Sequence, residues 1–438
     1  MDLREEARKV IDSADREMAE QFCRRMEAAA AIAAYKKERG LPVFDPDRER
    51  ELTERCLSYV ADPDLRSYYA RFLSGMLELS RQYQNRLIGD GSAEREGPAV
   101  NIPVSLGERS YGIVLESGAL SRAGTFWNLR RKVLIVTDEG VPAGYAEAVA
   151  AECAEPLVIR IPQGEQCKTL ATVESLLSEM MRAGFQRGDC AVSVGGGVAG
   201  DLTGLTASLY HRGIDFYQVP TTVLAMADAS VGGKTAVNLS GIKNVAGTFR
   251  QPRGVLIDPE VLKTLPKRQV ANGLAEVVKI ALTSDRELFE RMEAGHPEEC
   301  LPEILERAIR RKVEIVELDE REAGLRRILN FGHTVGHAIE SVSAGALLHG
   351  ECVALGMIPM CSPEVRKRLI PVLRSIGLPL SPVTDPERIA QAVLHDKKAA
   401  GDRIATVRVD TVGSCRVEMT APEELREAIR LLEGDFAK

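Results

Sequence analysis

From about residue 100, the chain alternates short apolar runs with helix-forming stretches, and this alternation constrains the fold more than any other feature. The intervening stretches, such as TVESLLSEMMRAG, have the spacing of amphipathic helices. Neighbouring parallel strands need a long crossover, which is usually a helix. The pattern therefore predicts an α/β domain built on a parallel sheet, whose strands include KVLIVTD, PLVIRIP, CAVSV and DFYQVP.

Segments without this alternation border the α/β region on both sides. Residues 1–39 contain no Gly or Pro and are rich in Ala, Glu, Arg and Met, which favours one unusually long helix. Two further helical segments follow, and periodicity ends at GDGSAEREGPA, which we interpret as a linker. We therefore predict an all-helical domain at 1–88, a linker at 89–99, an α/β domain at 100–258 and a mostly helical domain at 259–438.

The composition narrows the class of protein. A net charge of −7 argues against a nucleic-acid partner, since neutralising phosphates needs a basic face. The charged N-terminus has no apolar signal region, and no run approaches the roughly 20 residues of a membrane span. Nine scattered cysteines without a CxxC pair favour reduced thiols. We expect a cytoplasmic protein with neither a nucleic-acid nor a membrane partner.

A glycine-rich loop follows one of the predicted strands, in CAVSVGGGVAGDLTG. Its glycines, among them Gly196 and Gly197, lead from the strand into a predicted helix. Glycines let the backbone approach a pyrophosphate, and the helix N-terminus offers free N–H groups and the positive end of a dipole. The GxGxxG spacing alone is weak, so a tight turn without a ligand remains the alternative.

Polar side chains are dense in the segments that follow the loop. Lys234 and Lys243, with Asp228 and Asn244, could hold phosphate or hydroxyl oxygens. Farther along, NGLAEVVKIAL places Lys279 close to a glutamate on a predicted helix. Solvated loop charges and a surface ion pair within that helix are the alternative interpretations.

The segment LNFGHTVGHAIE places His333 and His337 one helical turn apart, so both imidazoles could bind one metal ion. With His349, three of the six histidines lie within a short stretch of the chain. A catalytic zinc ion commonly takes three nitrogen or oxygen ligands, so Glu276 with two of these histidines would suffice. Spacing alone leaves open which two, and core or helix-cap histidines are the alternative.

These motifs belong to an ordered series over about residues 100–438: GGGVAGDLTG, YHRGIDFYQVPTT, DASVGGKTAVN, KNVAGTF, GLAEVVK, LNFGHTVGHAIE and HGECVALGM. In this order they resemble the signatures of the 3-dehydroquinate synthase family. The resemblance implies a Rossmann-like NAD-binding domain followed by a helical metal- and substrate-binding domain. It also implies NAD, a divalent metal (zinc or cobalt), and conversion of the keto-acid phosphate DAHP to 3-dehydroquinate with loss of phosphate. A related sugar-phosphate cyclase and a metal-dependent polyol dehydrogenase are the alternatives.

The same resemblance assigns roles to individual residues. It gives the metal to Glu276, His333 and His349, and leaves His337 beside the substrate. The other residues expected at the substrate are Asp228, Arg212, Lys234, Asn244, Lys279, Lys312, Glu322, Arg326, Asn330 and Lys397. Those expected at NAD are Asp138, Glu165, Lys168, Gly196, Gly197, Val198, Asp201, Thr221, Thr222, Lys234 and Lys243. The chain departs from the family pattern in DASVGG, in NLSGIKN and at Gly140, where Asn is frequent.

The first 88 residues carry a second pattern. Arg25 and Lys36, eleven positions apart, share one stripe of a straight helix, whereas Arg8 points elsewhere. Ser80 and Gln84 lie one turn apart on a later helix. These side chains could line a small polar pocket, although surface charges are the alternative for the arginines.

The segments RKVID, RRMEAAAAIAAYK, GLPVFDPDRERE and SRQYQ resemble, in order and spacing, the all-helical chorismate mutase family. That resemblance implies rearrangement of chorismate to prephenate without a cofactor, in an intertwined homodimer whose first-helix arginine enters the partner's site. A regulatory or dimerisation module without activity is the alternative. The residues implied at this site are Arg8, Arg25, Lys36, Asp45, Arg48, Glu49, Ser80 and Gln84.

Overall fold

The computed structural model describes residues 3–39, 46–88, 99–295, 297–382, 385–397 and 403–434. The chain divides into two compact units, Met1–Glu96 and Gly97–Lys438. The further division at 258/259 stays a prediction. None of the helices described has both the length and the apolar character needed to cross a membrane.

Within residues 3–39 and 46–88, the first unit contains three helices: α1 (Leu3–Arg39), α2 (Pro46–Ser58) and α3 (Pro63–Ile88). The long uninterrupted helix predicted for residues 1–39 is present. Its second half packs against α3, and the buried residues of this contact include Ala29 and Ala33 of α1 and Leu73 and Leu77 of α3. Small alanine side chains allow the two helices to approach closely.

The second unit is built on a seven-stranded sheet. Its strands are β1 (Val100–Val104), β2 (Tyr111–Leu115), β3 (Lys132–Asp138), β4 (Glu155–Ile161), β5 (Cys190–Gly195), β6 (Asp215–Pro220) and β9 (Gly254–Ile257). Their order is β1-β2-β9-β6-β5-β3-β4, and only the β1–β2 pair is antiparallel. The predicted parallel sheet is therefore confirmed, and the four predicted runs form β3 to β6.

Helices connect these strands, and a two-stranded hairpin lies beside the sheet. The helices are α4 (Ala123–Phe126), α5 (Ala143–Ala151), α6 (Leu170–Arg182) and α7 (Gly197–Leu209), and the hairpin is β7 (Lys234–Leu239) with β8 (Ile242–Phe249). β3 and β5 are neighbours in the sheet. From β3 the chain continues to β4 on one side of this pair, and from β5 it continues to β6 on the opposite side. The carboxyl ends of β3 and β5 therefore flank a topological switch point, where open α/β sheets bind their ligands.

The rest of the unit is mostly helical, as predicted. It contains α8 (Lys267–Ser284), α9 (Arg286–Glu293), α10 (Leu301–Leu318), α11 (His333–Val342), α12 (His349–Met357), α13 (Pro363–Ser375), α14 (Pro386–Lys397) and α15 (Pro422–Arg430), with the pair β10 (Ile404–Thr411) and β11 (Ser414–Thr420). One hydrophobic core joins the sheet to these helices. Every residue of α8 from Ala271 to Thr283 is buried, so any charge on this stretch needs a partner.

Two glycines allow α12 to pack with its backbone against its neighbours. A Cβ atom added to Gly350 would lie 1.9 Å from the carbonyl oxygen of Asn272 in α8. One added to Gly356 would lie 2.1 Å from the carbonyl oxygen of Gly332, just before α11. No side chain fits at these distances. The contacts therefore hold the first residues of α11 and α12, both histidines, next to α8.

We predict that Gly356→Ala destabilises the protein. The added methyl group would overlap backbone, and overpacking of this kind costs about 1–3 kcal/mol. Gly144→Ala in α5 is a matched control, because a Cβ there meets nothing within 4 Å and alanine favours a helix by about 0.5–1 kcal/mol. Thermal unfolding of both variants measures the difference. Equal stability of the two variants would contradict the close helix contact.

Candidate active site

A cluster of opposite charges is buried at the middle of α8. Glu276 and Lys279 contact each other one turn apart, and their side chains are 0% and 1% exposed. Asp228, in a single π-helical turn, lies 3.8 Å from the Lys279 ammonium, and Lys312 from α10 contacts both its carboxylate and its carbonyl oxygen. Glu276 and Lys279 are buried, so the alternative interpretation of them as a surface ion pair is wrong.

The charges in this cluster stabilise one another. Burial would raise the pKa of Asp228, but Lys279 and Lys312 hold that pKa well below its ordinary value. Burial lowers the pKa of Lys279, and the carboxylates of Asp228 and Glu276 more than reverse that effect. For Lys312 burial prevails and lowers the pKa to about 8. Lys312 can therefore exchange a proton near neutral pH.

Two histidines face Glu276, and a third lies beside them. The Nε2 atoms of His333 and His349 lie 3.7 Å and 3.4 Å from Glu276 Oε1. One ligand atom from each of His333, His337 and His349 falls within 4.8 Å of the others. The HxxxH spacing thus does bring both imidazoles to one place, together with an imidazole from another helix.

The chemistry of these donors fits a divalent cation. Both carboxylate oxygens of the fully buried Glu276 lack a well-aligned hydrogen bond among the described residues. Burial lowers the pKa of His333 to about 3, so its imidazole is neutral and able to ligate. Burial also lowers the pKa of His349, but the carboxylates of Glu276 and Glu340, one beside each of its two nitrogens, outweigh burial and raise the pKa to about 10. The pocket therefore favours positive charge beside nitrogen and oxygen donors, as a zinc or cobalt site does.

Glu340 supports this group and was missed in the sequence. Its carboxylate lies 3.4 Å from His349 Nδ1 and accepts a hydrogen bond of 2.8 Å from Lys243. A carboxylate on the second imidazole nitrogen fixes the orientation of a ligating histidine. The available signal was its position in HTVGHAIE, two turns after His333 on the same helix face. Lys243, assigned to NAD by the resemblance, is paired here with Glu340.

A second polar group lies next to the buried charges. Lys234 contacts the Glu322 carboxylate, and Asn330 donates a hydrogen bond of 2.5 Å to Glu322. Arg326 is only 2% exposed and donates to the carbonyl oxygens of Gly232 and Glu320. Lys234, Glu322, Arg326 and Asn330 are thus brought together, as residues of one substrate pocket should be.

The loop that carries Glu322 and Arg326 is held by a residue that sequence reasoning did not single out. The Glu320 carboxylate accepts hydrogen bonds from Arg109, at 2.6 and 3.1 Å, and from Gln251, at 3.0 Å. Glu320 is one of several acidic residues in ELDEREAG, so its role depends on contacts far apart in the chain.

The glycine-rich loop lies at the switch point of the sheet. Gly196 is the N-cap residue of α7, and the Asp138 carboxylate at the end of β3 lies beside Gly195 at the end of β5. Thr221 donates its backbone N–H to the Gly195 carbonyl at 2.9 Å, and Thr222 lies over Gly196. The helix N-terminus and the adjacent carboxylate fit the pyrophosphate and ribose of a dinucleotide.

A further polar group adjoins this loop. Lys168 is paired with Asp201 at 2.6 Å and also contacts Asn244. Asn238, which was not predicted, donates to Glu165 at 2.9 Å and accepts from the Asn244 backbone. Burial raises the pKa of Asp201 to about 6 although Lys168 opposes the shift. Asn244, assigned to the substrate by the resemblance, therefore lies with residues assigned to NAD.

Some predicted residues are not brought into these groups. Arg212 is exposed at a positive φ of 70° after α7, and no described contact joins it to the clusters. Asp45 and the side chains of Glu49 and Lys397 lie outside the described residues.

The helical unit contains a polar group of its own. Ser80 and Gln84 are buried on α3, and Gln84 donates to the Ser80 hydroxyl at 3.4 Å. Arg25 Nη1 and Gln84 Oε1 are buried without a hydrogen-bond partner among residues 3–39 and 46–88. Lys36 is half-buried, whereas Arg8 and Arg48 are exposed. Buried polar atoms without partners fit a polar ligand.

Comparison with known families divides the chain in the same way. Two family models, described as 3-dehydroquinate synthase N-terminal and C-terminal, match residues 158–272 and 273–399. A third, described as chorismate mutase type II, matches residues 7–85. Both resemblances noted in the sequence are thereby confirmed.

Individual proteins agree with the family models. A 3-dehydroquinate synthase from Enterococcus faecalis is 42% identical over 352 residues, which are 75% of this chain and 98% of that protein. A 2-deoxy-scyllo-inosose synthase, solved with carbaglucose-6-phosphate, NAD+ and Co2+, has a TM-score of 0.69 at 28% identity and covers 76% of this chain and 99% of its own. A 2-epi-5-epi-valiolone synthase from Streptomyces hygroscopicus, solved with NAD+ and Zn2+, has a TM-score of 0.67 at 31% identity and covers 75% and 98%.

Two families therefore match the chain, one after the other along the sequence. The synthase models lie in the second unit at residues 158–399, this chain covers 98% of the Enterococcus faecalis relative, and the mutase model lies in the first unit at residues 7–85. The chain belongs to the 3-dehydroquinate synthase family and carries a chorismate mutase type II domain in front of it.

Proposed function

We propose that the chain converts DAHP to 3-dehydroquinate and phosphate in its second unit and rearranges chorismate to prephenate in its first. The observation that carries the first activity is the buried Glu276 carboxylate, which faces His333 and His349 and adjoins the Lys279, Asp228 and Lys312 cluster. The unpartnered Arg25 and Gln84 atoms on the mutase domain support the second.

The proposal includes two bound groups, a divalent metal and NAD. Glu276, His333 and His349 would hold a divalent metal, zinc or cobalt, which polarises a substrate hydroxyl when bound. The ends of β3 and β5 would hold NAD, which takes up a hydride and returns it within one turnover. The NAD+, Co2+ and Zn2+ in the solved relatives support both assignments.

The side chains of this chain then perform the remaining tasks. The exposed Lys234 and the buried Arg326 offer cationic donors to the substrate's phosphate and carboxylate, and cations placed in this way stabilise a leaving phosphate. Lys312, with a pKa of about 8, can move a proton near the reacting carbons. His337 lies beside the proposed ligands, where it can bind a substrate hydroxyl. Orientation of the substrate by these side chains also favours the final ring closure.

We propose that the protein is a homodimer in the cytoplasm. Apolar side chains are exposed along α1, and a second copy of the helix would cover them; they include Val10, Ile11, Met18 and Phe22 at 40–69% exposure. In such a dimer the exposed Arg8 would reach the partner's mutase site. All nine cysteines are free thiols, which suits a reducing compartment.

Incubation with DAHP, NAD and zinc tests the synthase. We expect phosphate and 3-dehydroquinate in equal amounts, with no accumulation of NADH, because the hydride returns to the substrate. Lys312→Met should slow the reaction at least about 100-fold, since it removes a cation and a proton carrier. Absence of dehydroquinate with DAHP would favour a related cyclase, and NADH formed in proportion to substrate would favour a polyol dehydrogenase.

Metal content separates the roles of the two histidines on α11. We predict that His333→Ala loses bound zinc, because it removes a ligand, whereas His337→Ala keeps zinc and loses rate. The measurement is metal analysis after dialysis, together with the rate at saturating metal. Equal loss of zinc in both variants would show that His337 is a ligand and would contradict this assignment.

Chorismate consumption tests the mutase domain. Arg25→Ala should lower kcat/KM for chorismate at least about 100-fold, because it removes a cation whose Nη1 atom is buried at the proposed site. Arg24→Ala is the matched control, since Arg24 is the neighbouring, exposed arginine of α1. If the wild type consumes no chorismate while prephenate changes the synthase rate, the domain is regulatory rather than catalytic.

A further inference from the structure

One face of α8 carries three polar residues at intervals of four. Arg268, Asn272 and Glu276 are therefore stacked on the same side of the helix, about one turn apart. Of the three, Glu276 belongs to the proposed metal site. Arg268 and Asn272 bind the segment 346–351, which contains His349, so the same face of α8 meets both this imidazole and the chain around it.

Arg268 binds the segment at two places. Its Nε and Nη2 atoms donate to the two carboxylate oxygens of Glu351, at 2.7 and 2.8 Å, and Nη2 also donates to the Ala346 carbonyl oxygen at 3.0 Å. Glu351 is only 5% exposed, and its carboxylate accepts the backbone N–H of Leu348 at 2.7 Å. A bidentate pair of arginine and carboxylate fixes direction as well as distance. Arg268 therefore holds the chain just before and just after His349.

Asn272 makes the next contact along the helix. Its side chain is buried, and its Oδ1 atom accepts the backbone N–H of Gly350 at 2.7 Å. One turn farther, Glu276 Oε1 faces His349 Nε2 at 3.4 Å. The backbone beside His349 and its imidazole are therefore held by successive turns of one helix.

The loop before α12 contains a strained residue. Ala344 has a φ of 48°, a left-handed conformation that alanine rarely adopts, and Gly345 follows with a φ of 86°. Such conformations persist only where the surrounding structure holds them. The hydrogen bond from Arg268 to the carbonyl oxygen of Ala346, the next residue, is a contact of this kind from outside the loop.

We infer that Arg268 and Asn272 are positioning residues for the proposed metal ligand His349. Each binds the chain next to His349, and Glu276 lies on the same helix face, so together they fix the imidazole relative to the carboxylate. Ligand side chains work only when they are held within about 0.5 Å of their productive geometry. This inference rests on the proposed metal site at Glu276, His333 and His349.

Zinc affinity of the full chain tests this inference, measured by competition with a chelator and without substrate. Arg268→Ala and Asn272→Ala should each raise the Kd for zinc roughly 10-fold, the lower end of the effect of residues that orient a metal ligand. The visible absorption spectrum of bound Co2+ should also change in both variants, because it depends on the geometry of the ligands.

Arg368→Ala is the matched control. Arg368 also forms a bidentate pair with a carboxylate, that of Glu293 at 2.6 and 2.8 Å, but this pair joins α13 to α9. Its loss should leave the zinc Kd and the Co2+ spectrum unchanged even if stability falls.

A second variant covers the possibility that Arg268→Ala does not fold, since it leaves the buried Glu351 carboxylate without its cation. Arg268→Ala combined with Glu351→Gln removes the ion pair without leaving an unpaired charge. It should show the same rise in the zinc Kd. Thermal unfolding of the metal-free proteins identifies the variants that are folded.

The outcomes separate this inference from the proposed function. If the wild type binds no zinc, the proposed metal site and this inference both fail. If the wild type binds zinc and a folded variant at Arg268 or Asn272 binds it equally well, the positioning role of that residue is overturned and the metal site stands. An equal loss of affinity in Arg368→Ala would also overturn the inference, because a general loss of stability would then explain the effect.

Discussion

The second unit depends on the burial of charge in one helix. A carboxylate and an ammonium group on α8 are almost fully removed from water, and burial of either one alone would cost several kcal/mol. Their mutual contact offsets only part of that cost. Asp228 and Lys312 supply further charges from a π-helical turn and from α10, and His333 and His349 also face Glu276. The elements around α8 are placed so that these charges meet.

The packing of the helices makes this arrangement possible. α12 lies against α8 and the start of α11 at distances that admit only glycine, so His333 and His349 begin their helices beside Glu276. Neither oxygen of the buried Glu276 carboxylate has a hydrogen bond of good geometry among the described residues, and the neighbouring Lys279 ammonium is shared with Asp228, so the site favours a further cation. The stability of the buried Glu276 carboxylate and the proposed chemistry therefore both favour a cation at this place.

The sheet has a separate role, which is to place the proposed dinucleotide near those charges. The reversal of strand order between β3 and β5 opens a crevice at their carboxyl ends, and the hairpin of β7 and β8 carries residues toward both regions. Lys234 begins the hairpin at Glu322, whereas Asn244 and Lys168 meet beside the glycine-rich loop. Within this unit, one short hairpin therefore joins the proposed cofactor site to the proposed substrate site.

Much of this could be predicted from the sequence, because it depends on local periodicity and on ordered motifs. The long first helix, the parallel strands, the helical C-terminal part and both families were recognisable from residues that are close together in the chain. The pairing of Lys243 with Glu340 and the bridge from Arg109 to Glu320 could not be predicted, because each joins residues that many elements separate in the chain. By itself, the sequence determined which elements form and which chemistry they carry. Only the tertiary structure decided which charges are buried together, since that follows from the packing of helices and strands that are distant in the chain.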